Sequence, residues 1–168
     1  DENEMWQVLN SCYEHKGPAA VRYPRGSGRG SEIIDKDNKF EIGKAKKVLD
    51  GENLCILNFG VLLDRVELLA ENNNFGLYDM RFVKPIDIQA LKDVAEKYDR
   101  IVTLEDHTIM GGAGSCAAEH LNIIGMNKKI LHLGLEDSFP KHGSRNEILE
   151  LNELDTVSIS EKILNFIK

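Results

Sequence analysis

From residue 41 onward, short runs rich in Val, Ile and Leu alternate with helix-length amphipathic segments, and this alternation restricts the fold more than any other feature of the chain. Strand candidates at 42–49, 54–59, 76–80, 100–104 and 129–133 are interleaved with helix candidates at 61–71, 86–97 and 113–124. Two more helical segments, 146–151 and 158–167, close the chain. Apolar strands of this kind need helices on both faces of their sheet, so the pattern predicts an α/β fold with three α/β/α layers around a mostly parallel five-stranded sheet. The 100–104 run is apolar enough for the sheet centre. The first two strands are separated by the Asp50-Gly51 turn, a spacing that predicts hairpin neighbours. In the helix between the second and third strands, Val66, Leu69 and Ala70 fall on one side.

The first 40 residues have another texture. Acidic residues occupy the first turn of a helix beginning at Asp1, in which Met5, Val8, Leu9 and Cys12 recur at three- and four-residue steps, and Gly17-Pro18 ends it. Residues 19–23 then read as a short strand closed by Pro24, and 26–40 as a linker that opens with three glycines in five positions. A helix and one strand cannot bury their apolar faces alone. Residues 1–25 are therefore expected to be the end of one domain, 26–40 the linker, and 41–168 a second domain.

The chain has 168 residues, of which 42% are hydrophobic and 29% charged, enough for one core and a short extra segment. Its 21 basic residues against 28 acidic ones give a net charge of −7, which argues against nucleic acid or an anionic membrane surface as the main partner. With no apolar run long enough to span a bilayer and no basic start, the sequence reads as intracellular: cytoplasmic, or plastid stroma if the source is a plant. The odd, widely spaced Cys12, Cys55 and Cys116 are expected to be free thiols. The Asp at position 1 points to a fragment of a longer protein.

Five short motifs carry possible chemistry. Met110-Gly111-Gly112-Ala113-Gly114-Ser115 lies between a strand and a helix, where free amides can hold phosphate, but it matches neither a P-loop nor a dinucleotide fingerprint. Its glycines also suit a tight turn and close packing. Cys116 and His120 share one helix face without the further ligands of a structural zinc site, so no metal is assigned. Glu105-Asp106-His107 ends a strand, but no G-x-S-x-G nucleophile turn accompanies it; helix capping or a contact between domains fits it better than a hydrolytic triad. In the run from Asp79 to Asp87, Pro85 leads into a helix that Asp87 can cap. Arg81 in that run suits either a salt bridge between domains or a ligand. Arg22-Tyr23-Pro24-Arg25-Gly26 sets arginines beside a proline, an arrangement that can hold a phosphate through paired donors or leave solvated charge.

Taken in order, Asp1-Glu2-Asn3-Glu4, the run from Gly17 to Gly26, Ile42-Gly43-Lys44, the run from Asp79 to Asp87, Ile109 to Ser115, Gly134 to Phe139 and His142-Gly143-Ser144-Arg145 resemble the end of the thiamine-diphosphate-dependent transketolase family. The last two segments are similar to the branch that condenses pyruvate with glyceraldehyde 3-phosphate. True transketolases and the beta subunits of 2-oxoacid dehydrogenases stand second and third, and a free-standing binding or regulatory module remains a different class of answer. The resemblance implies a transketolase C-terminal-domain fold preceded by a helix-strand remnant of the pyrimidine-binding domain. It also implies a homodimeric enzyme that uses thiamine diphosphate and Mg2+ on small-molecule substrates, with both groups held by upstream domains and none by this chain. No catalytic residue transfers. One substrate residue does: Arg25 matches the arginine that contacts the acceptor phosphate, with Tyr23 beside it as packing. Cys116-Ala117-Ala118 departs from the pattern where relatives vary.

Overall fold

The computed structural model describes residues 1–168. Strands β1 (Lys46–Leu49), β2 (Cys55–Phe59), β3 (Gly76–Asp79), β4 (Arg100–Thr108) and β5 (Lys129–Leu135) form one sheet in the order β1-β3-β2-β4-β5. The β3–β2, β2–β4 and β4–β5 pairs are parallel, and β1 is antiparallel at the edge. Side chains alternate between two cores, as a pleat requires. Cys55, Leu57, Tyr78 and Ile101 face helices α3 (Ile88–Lys97) and α4 (Ala113–Ile123). Ile56, Leu77, Val102 and Leu104 face α2 (Leu63–Asn72), α5 (Arg145–Leu151) and α6 (Thr156–Phe166). Each fully buried Leu or Ile contributes about 1.5–3 kcal/mol, so the two cores supply the main stabilisation of the unit.

The expected hairpin does not form: β1 pairs with β3, which lies between β1 and β2. The cause lies in residues 50–53, which cross the start of β3 instead of reversing. Gly51 exchanges hydrogen bonds with the Tyr98 hydroxyl, its N donating at 3.2 Å and its carbonyl accepting at 3.0 Å, and Glu52 N donates to the Asn74 carbonyl at 2.9 Å. The swap is favourable because β3 is buried along its whole length, whereas Lys46 and Lys47 of β1 are exposed and suit an edge that must not pair further.

Helix α1 (Glu2–Glu14) begins as read, with the Asp1 carboxylate accepting from Glu4 N at 2.9 Å. The face it turns toward the rest of the chain is a polar one. Gln7 and Ser11 are its buried residues, while Trp6 and Leu9 are each 40% exposed. Polar groups decide this orientation: Ser11 Oγ accepts from Phe40 N at 2.7 Å, Trp6 Nε1 donates to the Lys36 carbonyl at 3.0 Å, and Asn3 Oδ1 accepts from Ile34 N at 3.0 Å. Residues 26–40 contain neither helix nor strand and wrap this polar face. The strand expected at 19–23 does not form: these residues make no ladder hydrogen bonds with any strand of the sheet. Together with Trp6, Leu9 and Tyr13, Val21 and Tyr23 line an open groove of about 770 Å³.

Gly51 is the position where the crossing is least tolerant, since a Cβ there would come within 2.3 Å of the Phe75 carbonyl carbon and 2.5 Å of Gly76 N. Gly51→Ala is expected to lower the unfolding free energy by about 2–3 kcal/mol in urea titrations. Leu68→Ala, at a side chain 70% exposed on α2, should change it by less than about 0.5 kcal/mol. Equal effects of the two substitutions would contradict the crossing described.

Candidate functional site

The C-terminal ends of β2, β3 and β4 converge on one edge of the sheet, the side where parallel α/β folds gather functional groups. Glu105, at the end of β4, is 2% exposed and directed into the start of α4. Its carboxylate accepts from Ala113 N at 2.8 Å and from Gly114 N at 3.0 Å. A Cβ on Gly112 would lie 2.4 Å from Glu105 Oε2, and one on Gly114 would lie 2.3 Å from Thr103 Oγ1. The glycines of the 110–115 run therefore make room for an internal carboxylate, which occupies the amides that a phosphate would need. Capping, the structural role expected for the 105–107 run, is performed by Glu105; His107 is exposed, with Nδ1 3.1 Å from the Thr108 carbonyl.

Arg81 follows β3 and holds a left-handed backbone, φ 54, which costs a non-glycine residue about 1–2 kcal/mol. Three contacts hold it there. Its guanidinium pairs with Glu4 of α1, its Nε lies 3.7 Å from Asp79 Oδ2, and it stacks on Phe40 with 3.8 Å to the ring centroid. Of the two roles open to Arg81, the contacts present are those of a salt bridge, joining α1 and residue 40 to the end of β3. Burial, reinforced by the charge and hydrogen bond of Glu4, pushes the Asp79 carboxyl up to about 6, with Arg81 opposing. Glu4 moves the other way: burial alone would raise it, but the hydrogen bond and charge of Arg81 outweigh that and hold it below the usual range, helped by Lys46 at 3.9 Å. Asp87 caps α3 as read, accepting from Ala90 N at 3.1 Å and also from Ala45 N at 3.0 Å.

Asp106 is a second junction. Its carboxylate accepts from Arg145 at 3.1 Å, and its main-chain carbonyl accepts from the guanidinium of Arg22. Arg145 is fixed at the first position of α5 by the capping box of Ser144 and Glu147, in which Ser144 N donates to Glu147 Oε2 at 2.7 Å. Arg25, three residues beyond Arg22, is exposed and makes no hydrogen bond or salt bridge, so its donors are available to a ligand. Tyr23 beside it is 65% exposed and lines the groove rather than a core. The sequence reading missed the roles of Glu4 and Phe40, whereas a hydrogen-bonded contact is among the roles it expected for the run containing Asp106. Glu4 carried only the signal of a first-turn acid, and a contact across 77 residues leaves no local pattern.

Cys116 Sγ lies 3.6 Å from His120 Nδ1, and no group of three or more His, Cys, Asp or Glu is placed to hold a metal ion. With the first amides of α4 filled by Glu105, that helix terminus has no free Ala113 or Gly114 N–H to offer a diphosphate. No helix is long and apolar enough to cross a membrane.

Comparison with known proteins gives a consistent pattern. The family model described as "Transketolase, C-terminal domain" matches residues 43–159. The 1-deoxy-D-xylulose-5-phosphate synthase of Saccharophagus degradans is 45% identical over 97% of this chain and 25% of its own length. That of Haemophilus influenzae is 47% identical over 99% of this chain and 27% of its own, and that of Idiomarina loihiensis 40% over 100% and 27%. The chain thus spans about a quarter of the length of these relatives. Among solved structures, a split-gene transketolase described as an inactive beta4 tetramer superposes with a TM-score of 0.70 at 25% identity, covering 82% of this chain and 46% of the other.

Two outcomes test the junctions. The raised carboxyl of Asp79 contributes stability that is complete below its unfolded value of 3.8 and is lost as pH rises through about 6, up to about 3 kcal/mol. Glu4, with its lowered value, contributes stability present above 4.5 and lost as pH falls. Unfolding followed by the single tryptophan, Trp6, should therefore show stability declining between about pH 4.5 and 6.5 in the native chain, a decline that Asp79→Asn removes; identical profiles would contradict the pairing. Glu105→Gln should destabilise by about 1–3 kcal/mol in urea, because an amide offers the two N–H donors one acceptor instead of a charged pair. No loss of stability would mean that the cap is not formed.

Proposed function

The chain belongs to the family of transketolase C-terminal domains, and from that premise we propose that it is the C-terminal part of a 1-deoxy-D-xylulose-5-phosphate synthase. The complete enzyme condenses pyruvate with glyceraldehyde 3-phosphate, with loss of carbon dioxide, to give 1-deoxy-D-xylulose 5-phosphate. The observation that carries this reading is identity of 40–47% sustained from one end of the chain to the other, the first 40 residues included.

In this reading thiamine diphosphate and Mg2+ are bound by parts of the enzyme outside these 168 residues. The cofactor supplies the carbanion chemistry, and this chain alone is inactive. Its α/β unit supports a homodimer and closes the active-site region, while residues 1–25 belong to the neighbouring pyrimidine-binding domain. The open apolar groove of α1 supports that assignment, since Trp6, Leu9 and Tyr13 lack the cover that the rest of such a domain provides. The enzyme is assigned to the cytoplasm, or to the plastid stroma in a plant.

Arg25 is the residue of this chain that reaches the substrate. A planar guanidinium offers parallel donors to two phosphate oxygens, and a charge-assisted bond of this kind is worth about 1.5–3 kcal/mol net. Only the acceptor carries a phosphate, so the contact discriminates between the two substrates. In the complete enzyme, Arg25→Ala should raise the KM for glyceraldehyde 3-phosphate by about 10- to 100-fold and leave that for pyruvate within about twofold. Steady-state kinetics with each substrate varied in turn checks this, and equal increases would remove the role.

A further inference from the structure

We propose that Arg22 is a positioning residue for Arg25, tying the arginine-bearing run to the bulged end of β4. The inference rests on the reading of Arg25 as a phosphate ligand and adds what holds that ligand in place.

Residues 18–28 contain no helix or strand, and their one hydrogen bond to a residue beyond themselves comes from the Arg22 guanidinium. Its acceptor is unusually well fixed. Between Leu104, opposite Leu133, and Thr108, opposite Leu135, β4 runs four residues against two on β5. Such a bulge re-aims the residues within it. Glu105 is locked inward on the amides of α4, and Asp106 is held outward by Arg145 at the capped start of α5. The Asp106 carbonyl is thus held from both sides where it receives Arg22.

From Arg22 to Arg25 the chain is stiff. Pro24 fixes its own φ near about −65° and biases Tyr23 toward an extended backbone, so the three-residue span acts as a lever of roughly 10 Å. Gly26, at φ 158, then gives the chain its freedom back. Anchoring Arg22 therefore confines Arg25 from the N-terminal side, whereas releasing it leaves Arg25 held only through Arg29, paired with Asp64 at 2.8 Å, and Gly30, whose N donates to Glu2 at 2.7 Å, both beyond the glycines at 26 and 28. Arg22 also has the right chemistry for this work: a guanidinium bonds strongly to a carbonyl that keeps its place.

The test uses the complete enzyme. Arg22→Gln should raise the KM for glyceraldehyde 3-phosphate about tenfold, with kcat and the KM for pyruvate within about twofold, because a ligand misplaced by about 1 Å loses affinity for its own substrate alone. Arg22→Lys should recover part of the loss, and Asp106→Asn, which loosens Arg145 but keeps the main-chain carbonyl, should show a smaller change of the same selectivity. In an Arg25→Ala background, Arg22→Gln should add nothing. Equal rises in both KM values, a loss confined to kcat, or full additivity with Arg25→Ala would overturn the proposal. If Arg25→Ala raises the aldehyde KM but Arg22→Gln does not, positioning alone fails; if Arg25→Ala itself has no effect, the phosphate reading fails with it. Should Arg22→Gln lose its folded circular dichroism, Asp106→Asn is judged by the same criteria.

Discussion

A buried carboxylate at the start of a helix organises this molecule. Glu105 sits at the end of β4 and gives both oxygens to the first amides of α4, and Gly112 and Gly114 are the residues that let it in. A charge placed at that helix terminus is favoured by both the free N–H groups and the helix dipole. Three consequences follow. Strand and helix are locked together across one core, the glycine turn that could have cradled a phosphate is filled from within, and the next residue, Asp106, is turned outward to meet Arg22 and Arg145.

The N-terminal segment attaches by polar contacts, which explains its shape. Helix α1 turns Glu4, Gln7 and Ser11 toward the rest of the chain and leaves Trp6, Leu9 and Tyr13 over an open groove. The Arg81 contact is the strongest of these ties, and it holds an arginine in a left-handed conformation while two carboxylates compete for one guanidinium. Strain and charge crowding together at a strand end are features of surfaces that meet other groups, rather than of cores optimised for stability alone.

Much of this was legible in the residues. The five strands and the core helices follow from runs such as Ile101-Val102 and from the Val66/Ala70 spacing, because burial on two faces leaves a strong periodic signal. Asp87 and the glycine turn were readable for the same reason: caps and turns are local chemistry. The order of β1 was not, since a short Asp50-Gly51 connection fits a hairpin as well as a crossing, and the choice is made by Tyr98, nearly 50 residues away. The inward face of α1 was not legible, because the apolar spacing of Met5, Val8 and Leu9 shows that a helix has an apolar side, not which neighbour lies against it. The partners of Arg81 and Arg22 arise from tertiary contacts 77 and 84 residues apart, beyond the reach of any window.

The central claim is that these 168 residues position and support, while the chemistry resides in other parts of a larger enzyme. The most direct measurement is carbon dioxide release from pyruvate by the purified chain, with glyceraldehyde 3-phosphate, thiamine diphosphate and Mg2+ supplied. The account predicts a rate indistinguishable from that of the cofactor alone in buffer. Turnover that scales with the concentration of the chain would contradict it.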